Sequence, residues 1–232
     1  MFASHSWLAS SRFHLALGAA LLGSSVADAA TIAVANASFE TLPSGGLPIA
    51  CGTNCSYSRD VIPGWTTTPG GDLGQAQPGP PVNTTYFNYV PDGITVAYSN
   101  GGEISQIVSP LAQAGLTYTL SVDLGFRKDT SETGNVKLVV GANTIIATGA
   151  DLGYSGNWAT YTASYTATAA DAGKPIEIVL INTGSGQGDW DNVRLTDIGT
   201  AVPELSTWSL MLLGFATLGF ARSRSLGKSN AA

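Results

Sequence analysis

Histidine is nearly missing from this sequence. Only His5 and His14 occur in 232 residues. The span from Thr31 to Ile198 has none, which excludes a Ser–His–Asp triad, a Cys–His pair and histidine-ligated zinc or iron there. Cysteine is as scarce: Cys51 and Cys55, in CGTNC, are the whole complement. Two thiols need two further ligands to hold zinc, and their spacing is not the CxxC of a redox motif. Basic residues are few as well. Arg59, Arg127, Lys128, Lys137, Lys174 and Arg194 stand against fourteen acidic residues over the same span, a net charge of −8. So acidic a domain repels phosphate backbones and is not a nucleic-acid binder; divalent cations suit it better. No window keeps a 3.6-residue apolar period, so amphipathic helices are not expected.

Long apolar runs occur only near the two ends. Arg12 precedes Phe13 to Gly23, too short to span a bilayer, and Ala27-Asp28-Ala29 fits an A-x-A cleavage site. Residues 1–29 therefore read as a signal peptide. From Leu205 to Ala221 no charge occurs, and Arg222, Arg224 and Lys228 follow. That run is long enough for a transmembrane helix over 205–221, with the basic cluster held in the cytoplasm and the preceding chain outside. Residues 30–198 form one domain and 199–201 a short linker. In an oxidising exterior Cys51 and Cys55 are expected to pair as a local loop staple.

The end of the chain resembles a PEP-CTERM sorting tail. Val202-Pro203-Glu204, Ser206-Thr207-Trp208, Leu212-Leu213-Gly214-Phe215-Ala216 and Leu218-Gly219-Phe220 carry the resemblance, with Arg222 and Arg224 as its basic cluster. Leu205 stands where that family has a second proline. The resemblance implies an exosortase-like processing enzyme as partner, transient membrane anchoring, and delivery to the outer envelope or extracellular matrix.

Between the ends the sequence reads as strands. Leu116, Tyr118, Leu120, Val122, Leu124 and Phe126 alternate with polar residues, the signature of a strand with one buried face. Val96 and Tyr98, then Ile104, Gln106 and Val108, flank an Asn100-Gly101-Gly102 turn. Val136–Val140 and Asn143–Thr148 flank Gly141-Ala142 as a hairpin. Ala159, Tyr161, Ala163 and Tyr165 alternate with hydroxyl residues, Ile176–Ile181 reads as a central strand, and Trp190–Thr196 as the last. Short strands with frequent turn signals predict an all-β, antiparallel β-sandwich. Between Thr41 and Pro91, which hold eight of eleven prolines, the alternation fails. A long surface excursion is expected there, the kind of segment that carries function.

Asn36-Ala37-Ser38-Phe39-Glu40, Ile62-Pro63-Gly64-Trp65 and Asp189-Trp190-Asp191-Asn192-Val193-Arg194-Leu195 together resemble galactose-binding-like jelly rolls, the fold of many carbohydrate-binding modules. The resemblance implies a structural calcium ion held by oxygens of Glu40 and Asp191, without nitrogen ligands. Read from the strand itself, Asp191 shares parity with Val193 and Leu195 and points inward, where it caps amides, pairs with an arginine or binds a metal. Sugar binding needs exposed aromatic faces beside polar groups. Trp65, Tyr86, Tyr89 and Trp190, with Arg194, are the candidates. Fourteen acids without a motif give no pair for glycoside hydrolysis. The expectation is a non-catalytic, exported glycan- or exopolysaccharide-binding module. The alternatives are a structural matrix protein and, less favoured, a polysaccharide-processing enzyme.

Overall fold

Alternation of apolar and polar residues dictates the architecture. In the computed structural model, residues 29–79, 85–199 and 214–215 are described. The signal-peptide reading (1–29) and the sorting tail (202–228, Val202, Pro203, Glu204, Arg222 and Arg224 included) fall almost wholly outside them. Ala27–Thr200 form one compact unit. Of the remaining unit only Gly214 and Phe215, both helical, are described. Among the described residues no helix is long and apolar enough to cross a membrane.

Among the described residues thirteen strands build the domain: β1 (Ala30–Ile32), β2 (Ile49–Gly52), β3 (Cys55–Tyr57), β4 (Thr66–Pro69), β5 (Leu73–Gln77), β6 (Val96–Ser99), β7 (Gly102–Val108), β8 (Thr117–Gly125), β9 (Gly134–Val140), β10 (Asn143–Ile146), β11 (Trp158–Thr166), β12 (Ile176–Asn182) and β13 (Gly188–Ile198). One sheet runs β11-β8-β13-β6-β5-β3-β2, with β1 also paired to β13. The other runs β10-β9-β12-β7-β4. Every pair of named strands is antiparallel.

The expected faces form. Tyr118, Leu120, Val122 and Leu124 of β8 meet Val136, Leu138 and Val140 of β9 and Ile176, Ile178 and Leu180 of β12 in one core between the sheets. The apolar stretch in β12 is central, between β9 and β7; Ile176, Ile178 and Leu180 are fully buried on its core face, whereas Glu177 and Ile181 on the other face are half-buried.

Two expectations need correction. The Thr41–Pro91 segment is not a bare excursion: four short strands, β2 to β5, lie within it and extend the larger sheet or edge the smaller one. They are too short for period-two counting to detect. Two-residue alternation, which sets Asp191 on the face of Val193, puts Trp190 on the opposite face, yet Trp190 and Val193 both lie in the core, fully or almost fully buried. A register shift between Asp191 and Arg194, with Asn192 at φ 52°, inserts a bulge that resets the alternation.

Candidate active site

Strand register gathers a set of side chains on one face of the larger sheet. Tyr57 pairs with Ala76, Ala76 with Val96, and Tyr98 with Asp189. Cross-strand partners share a face, and residues two apart on a strand share it too. Cys55, Tyr57, Ala76, Val96, Tyr98 and Asp189 therefore all point one way. Trp190 and Ala97 point the other way, into the core.

The chain around these strands closes a cleft of about 230 Å³ over that face. Tyr57, Tyr86, Phe87 and Tyr98 give it aromatic walls, and Arg127, Gln187 and Asp189 line it from the ends of β8 and β13. The β2–β3 hairpin contributes Cys51 and Cys55, which form the expected disulfide. Tyr86 Oη donates to the Cys51 carbonyl at 2.9 Å, tying the loop before β6 to that hairpin. Tyr57 and Tyr98 meet edge to face at 5.8 Å. Tyr98 Oη donates to the Ser58 carbonyl at 2.9 Å, and burial, with Asp72 nearby, pushes its phenol upward.

Asp189 lies at the floor of this cleft, 1% exposed. Gln187 Nε2 donates to its Oδ1 at 2.8 Å, while its Oδ2 is buried with no partner among the described residues. Burial pushes this carboxyl up to about 7; the nearby Arg127 guanidinium and the Gln187 bond hold it from going further. Behind it, Glu132 accepts from the Gly134 amide, and its other oxygen is buried without a side-chain hydrogen-bond partner among the described residues. Burial first, and the charge of Asp189 second, push Glu132 to about 9. Glycine at 134 and 188 is required by this packing: a Cβ at either would meet the Trp190 ring within 2.8 Å.

A carboxyl that titrates near neutrality inside an aromatic, partly desolvated cleft can donate a proton to a bound apolar molecule. Asp189 was not among the sequence-predicted site residues. Its signal was its place two residues before Asp191 in a strand where one acid already looked unusual.

The predicted glycan residues do not converge. Tyr86 alone lines the cleft. Trp65 is 5% exposed and packs on Phe39 at 5.4 Å, and Trp190 is fully buried, so neither offers a face to a sugar. Both rings are large apolar surfaces that the core takes up first. Tyr89 is exposed on a loop whose carbonyl accepts from Trp158. Arg194 lies on the exposed side of β13, 3.5 Å from Asp123.

Glu40 and Asp191 do converge, on the segment Asp92–Thr95. Glu40 Oε1 accepts the amides of Ile94 at 2.8 Å and Thr95 at 2.7 Å. Asp191 Oδ2 accepts the Asp92 amide and its Oδ1 the Asn192 amide. Burial nevertheless pushes Asp191 up to about 8. Among the described residues no three His, Cys, Asp or Glu side chains gather as a metal cluster.

Residues 30–196 match the family described as HpiC1-like, HpiC1 cyclase. No curated protein matches the chain. Among solved structures, a cyclase from Fischerella sp. TAU in complex with 4-(1H-indol-3-yl)butan-2-one is 26% identical, with a TM-score of 0.60 over 74% of this chain and 99% of that one. The CBM22-1 xylan-binding domain of Paenibacillus barcinonensis Xyn10C is 12% identical, with a TM-score of 0.45 over 71% and 93%. The CBM22-1–GH10 modules of Clostridium thermocellum Xyn10B, complexed with xylohexaose, are 18% identical, with a TM-score of 0.41 over 60% and 27%. The cyclase matches correct the expectation of a protein that is not an enzyme: they point to a catalytic role, which composition and motif counting could not reach.

Proposed function

The chain belongs to the HpiC1-like cyclase family, and from that premise we propose that it cyclises an unsaturated, largely apolar substrate by acid catalysis, with Asp189 as the acid. One observation carries this reading: a buried carboxyl oxygen with no partner among the described residues, on a residue lining a cleft walled by Tyr57, Tyr86, Phe87 and Tyr98. Asp189 Oδ2 gives its proton to an alkene carbon, which leaves a carbocation. A second π bond of the same molecule attacks it and forms the new C–C bond. Loss of a proton from carbon beside the new cation restores the alkene or arene and returns the proton to the Asp189 carboxylate. The net change is isomerisation, and no oxidant is needed. The aromatic walls face the cation with the negative side of their quadrupoles.

The test is a panel of acyclic polyenes and 3-alkenylindoles, the latter because the Fischerella cyclase holds a 3-substituted indole. A product of unchanged mass and shifted retention supports the reading. Conversion that is equally fast with Asp189→Asn overturns it.

A second reading keeps a glycan as the ligand. It is favoured by Asp72, Asn100 and Gln187 among the tyrosines of the same cleft, polar groups beside aromatic faces. Retardation in polysaccharide gels, abolished by Tyr86→Ala, separates it from the first.

For localisation, the proposal is export followed by exosortase-type sorting. It is supported by the motif over 202–228 and the A-x-A site at 27–29. A structural calcium ion at Glu40 and Asp191 is proposed on the convergence of both carboxylates on Asp92–Thr95.

A further inference from the structure

The cleft ends at a wall made of two side chains. Past it lies a second cavity of about 230 Å³, lined by Arg59, Asp60, Val61, Thr67, Asp72 and Leu73 among others. Among the described residues Asp72 alone lines both this cavity and the cleft. Arg59 NH2 lies 2.9 Å from Asp72 Oδ2. The same nitrogen donates to Tyr57 Oη at 3.4 Å, and the guanidinium carbon lies 5.8 Å from the centre of that ring. Tyr57 is itself a wall of the cleft. The ion pair, leaning on a cleft tyrosine, therefore stands between the two spaces.

We infer that the Arg59–Asp72 pair determines specificity by length: it closes the cleft off from the second cavity and so limits how long an apolar substrate the cleft accepts. This rests on the reading of the cleft as the substrate site of a cyclase.

The two backbones that carry the wall are anchored, and only side chains close the gap between them. After Tyr57 the chain passes so close to Gly74 that a Cβ there would collide with the Ser58 carbonyl oxygen. That oxygen accepts from Tyr98 Oη, and the Ser58 amide donates to the Gln75 carbonyl at 2.9 Å. Arg59 thus extends from a fixed segment. On the other side the Asp72 carbonyl accepts the Asn100 amide at 2.8 Å. A Cβ on Gly71 would lie 2.8 Å from the Asn100 carbonyl oxygen, an approach only glycine permits. Both wall side chains are exposed, and an exposed ion pair contributes little to stability. Truncating them opens a passage and leaves the backbone in place.

The cavity past the wall suits the end of an apolar chain once the pair is gone. Leu73 and Val61 give it apolar surface. Asp60, the remaining charged residue there, turns Oδ1 back onto the Val61 amide at 2.7 Å.

The length limit is measured with unreactive linear alcohols, 1-hexanol to 1-dodecanol, added to full-length protein. Methyl NMR follows Val96 in the cleft and Val61 and Leu73 past the wall. In the wild type Val96 is expected to shift, Val61 and Leu73 to stay, and affinity to stop rising once the cleft is filled. In Arg59→Ala/Asp72→Ala affinity is expected to keep rising, by about threefold for each added carbon, as burial of a methylene predicts. The Val61 and Leu73 methyls then shift with the longer alcohols. Asp72→Asn, which keeps the bulk and still accepts from Arg59, is expected to keep the wild-type limit. One and the same limit in the wild type and the folded double variant overturns the proposal, and so do Val61 and Leu73 shifts in the wild type. Should the double variant fail to fold, Arg59→Ala alone is read by the same criteria. A pair with only a structural role lowers Tm without extending the limit. Failure of the cyclase reading shows separately, as alcohols bound with the expected limits while no polyene or indole of the panel is turned over. Alcohols that leave Val96 unmoved in both proteins overturn the apolar cleft and this proposal with it.

Discussion

Gln187 donates to Oδ1 of Asp189 at 2.8 Å, and the buried Oδ2 of the same carboxyl has no partner among the described residues. An acid group so divided has one oxygen fixed and one idle, on a residue that lines the cleft.

Asp189→Asn is expected to lower kcat/KM by about 10²-fold or more, the usual size of a general-acid contribution. Circular dichroism should show an unchanged fold, because asparagine keeps the shape and the Gln187 contact. In the wild type kcat/KM should fall as pH rises through about 7, since the proton is the reagent. A flat profile from pH 5 to 9 would count against Asp189.

Stability should fall as pH rises. Asp189, Glu132 and Asp191 are raised to about 7, 9 and 8 by burial, above their values in the unfolded chain. Between the unfolded and folded values the native state binds more protons than the unfolded state. Each group's cost is absent below about pH 4 and grows until the folded value is passed. Tm measured from pH 4 to 9 should decline, and Glu132→Gln should flatten the alkaline part of that decline.

Trp190→Ala should cost about 3–5 kcal/mol by chemical denaturation, the usual range for a fully buried large aromatic. Trp65→Ala should destabilise as well, because its ring fills core space beside Phe39. Loss of polysaccharide retardation from either variant, with stability intact, would restore them as sugar contacts.

The β2–β3 hairpin is a wall of the cleft. Replacing both Cys51 and Cys55 by serine should change Tm little, since the loop they close is short. Binding of whichever substrate the cyclisation panel identifies, followed by fluorescence, should weaken severalfold. Equal affinity with and without the disulfide would make it a bystander.

Melting curves in calcium and in EGTA test the site at Glu40 and Asp191. A higher Tm in calcium that is lost in Asp191→Asn is the expected result, and superimposable curves refute it.

The sequence by itself determined the all-β class, the long strands and their inward faces. Leu120, Val122 and Leu124 show why: alternation is local, and its burial follows from the two-residue period of a strand. It also marked Cys51 with Cys55, two thiols with no other partner available. Tertiary structure alone decided the site. Asp189 meets Tyr98 because β13 inserts between β8 and β6, and Gln187 meets Arg127 across a sequence separation of sixty. The fate of Trp190 was decided the same way, by a bulge at Asn192 that turned an expected surface ring into the core. Strand order and register depend on which distant segments pair, and a period-two pattern carries no record of its partner.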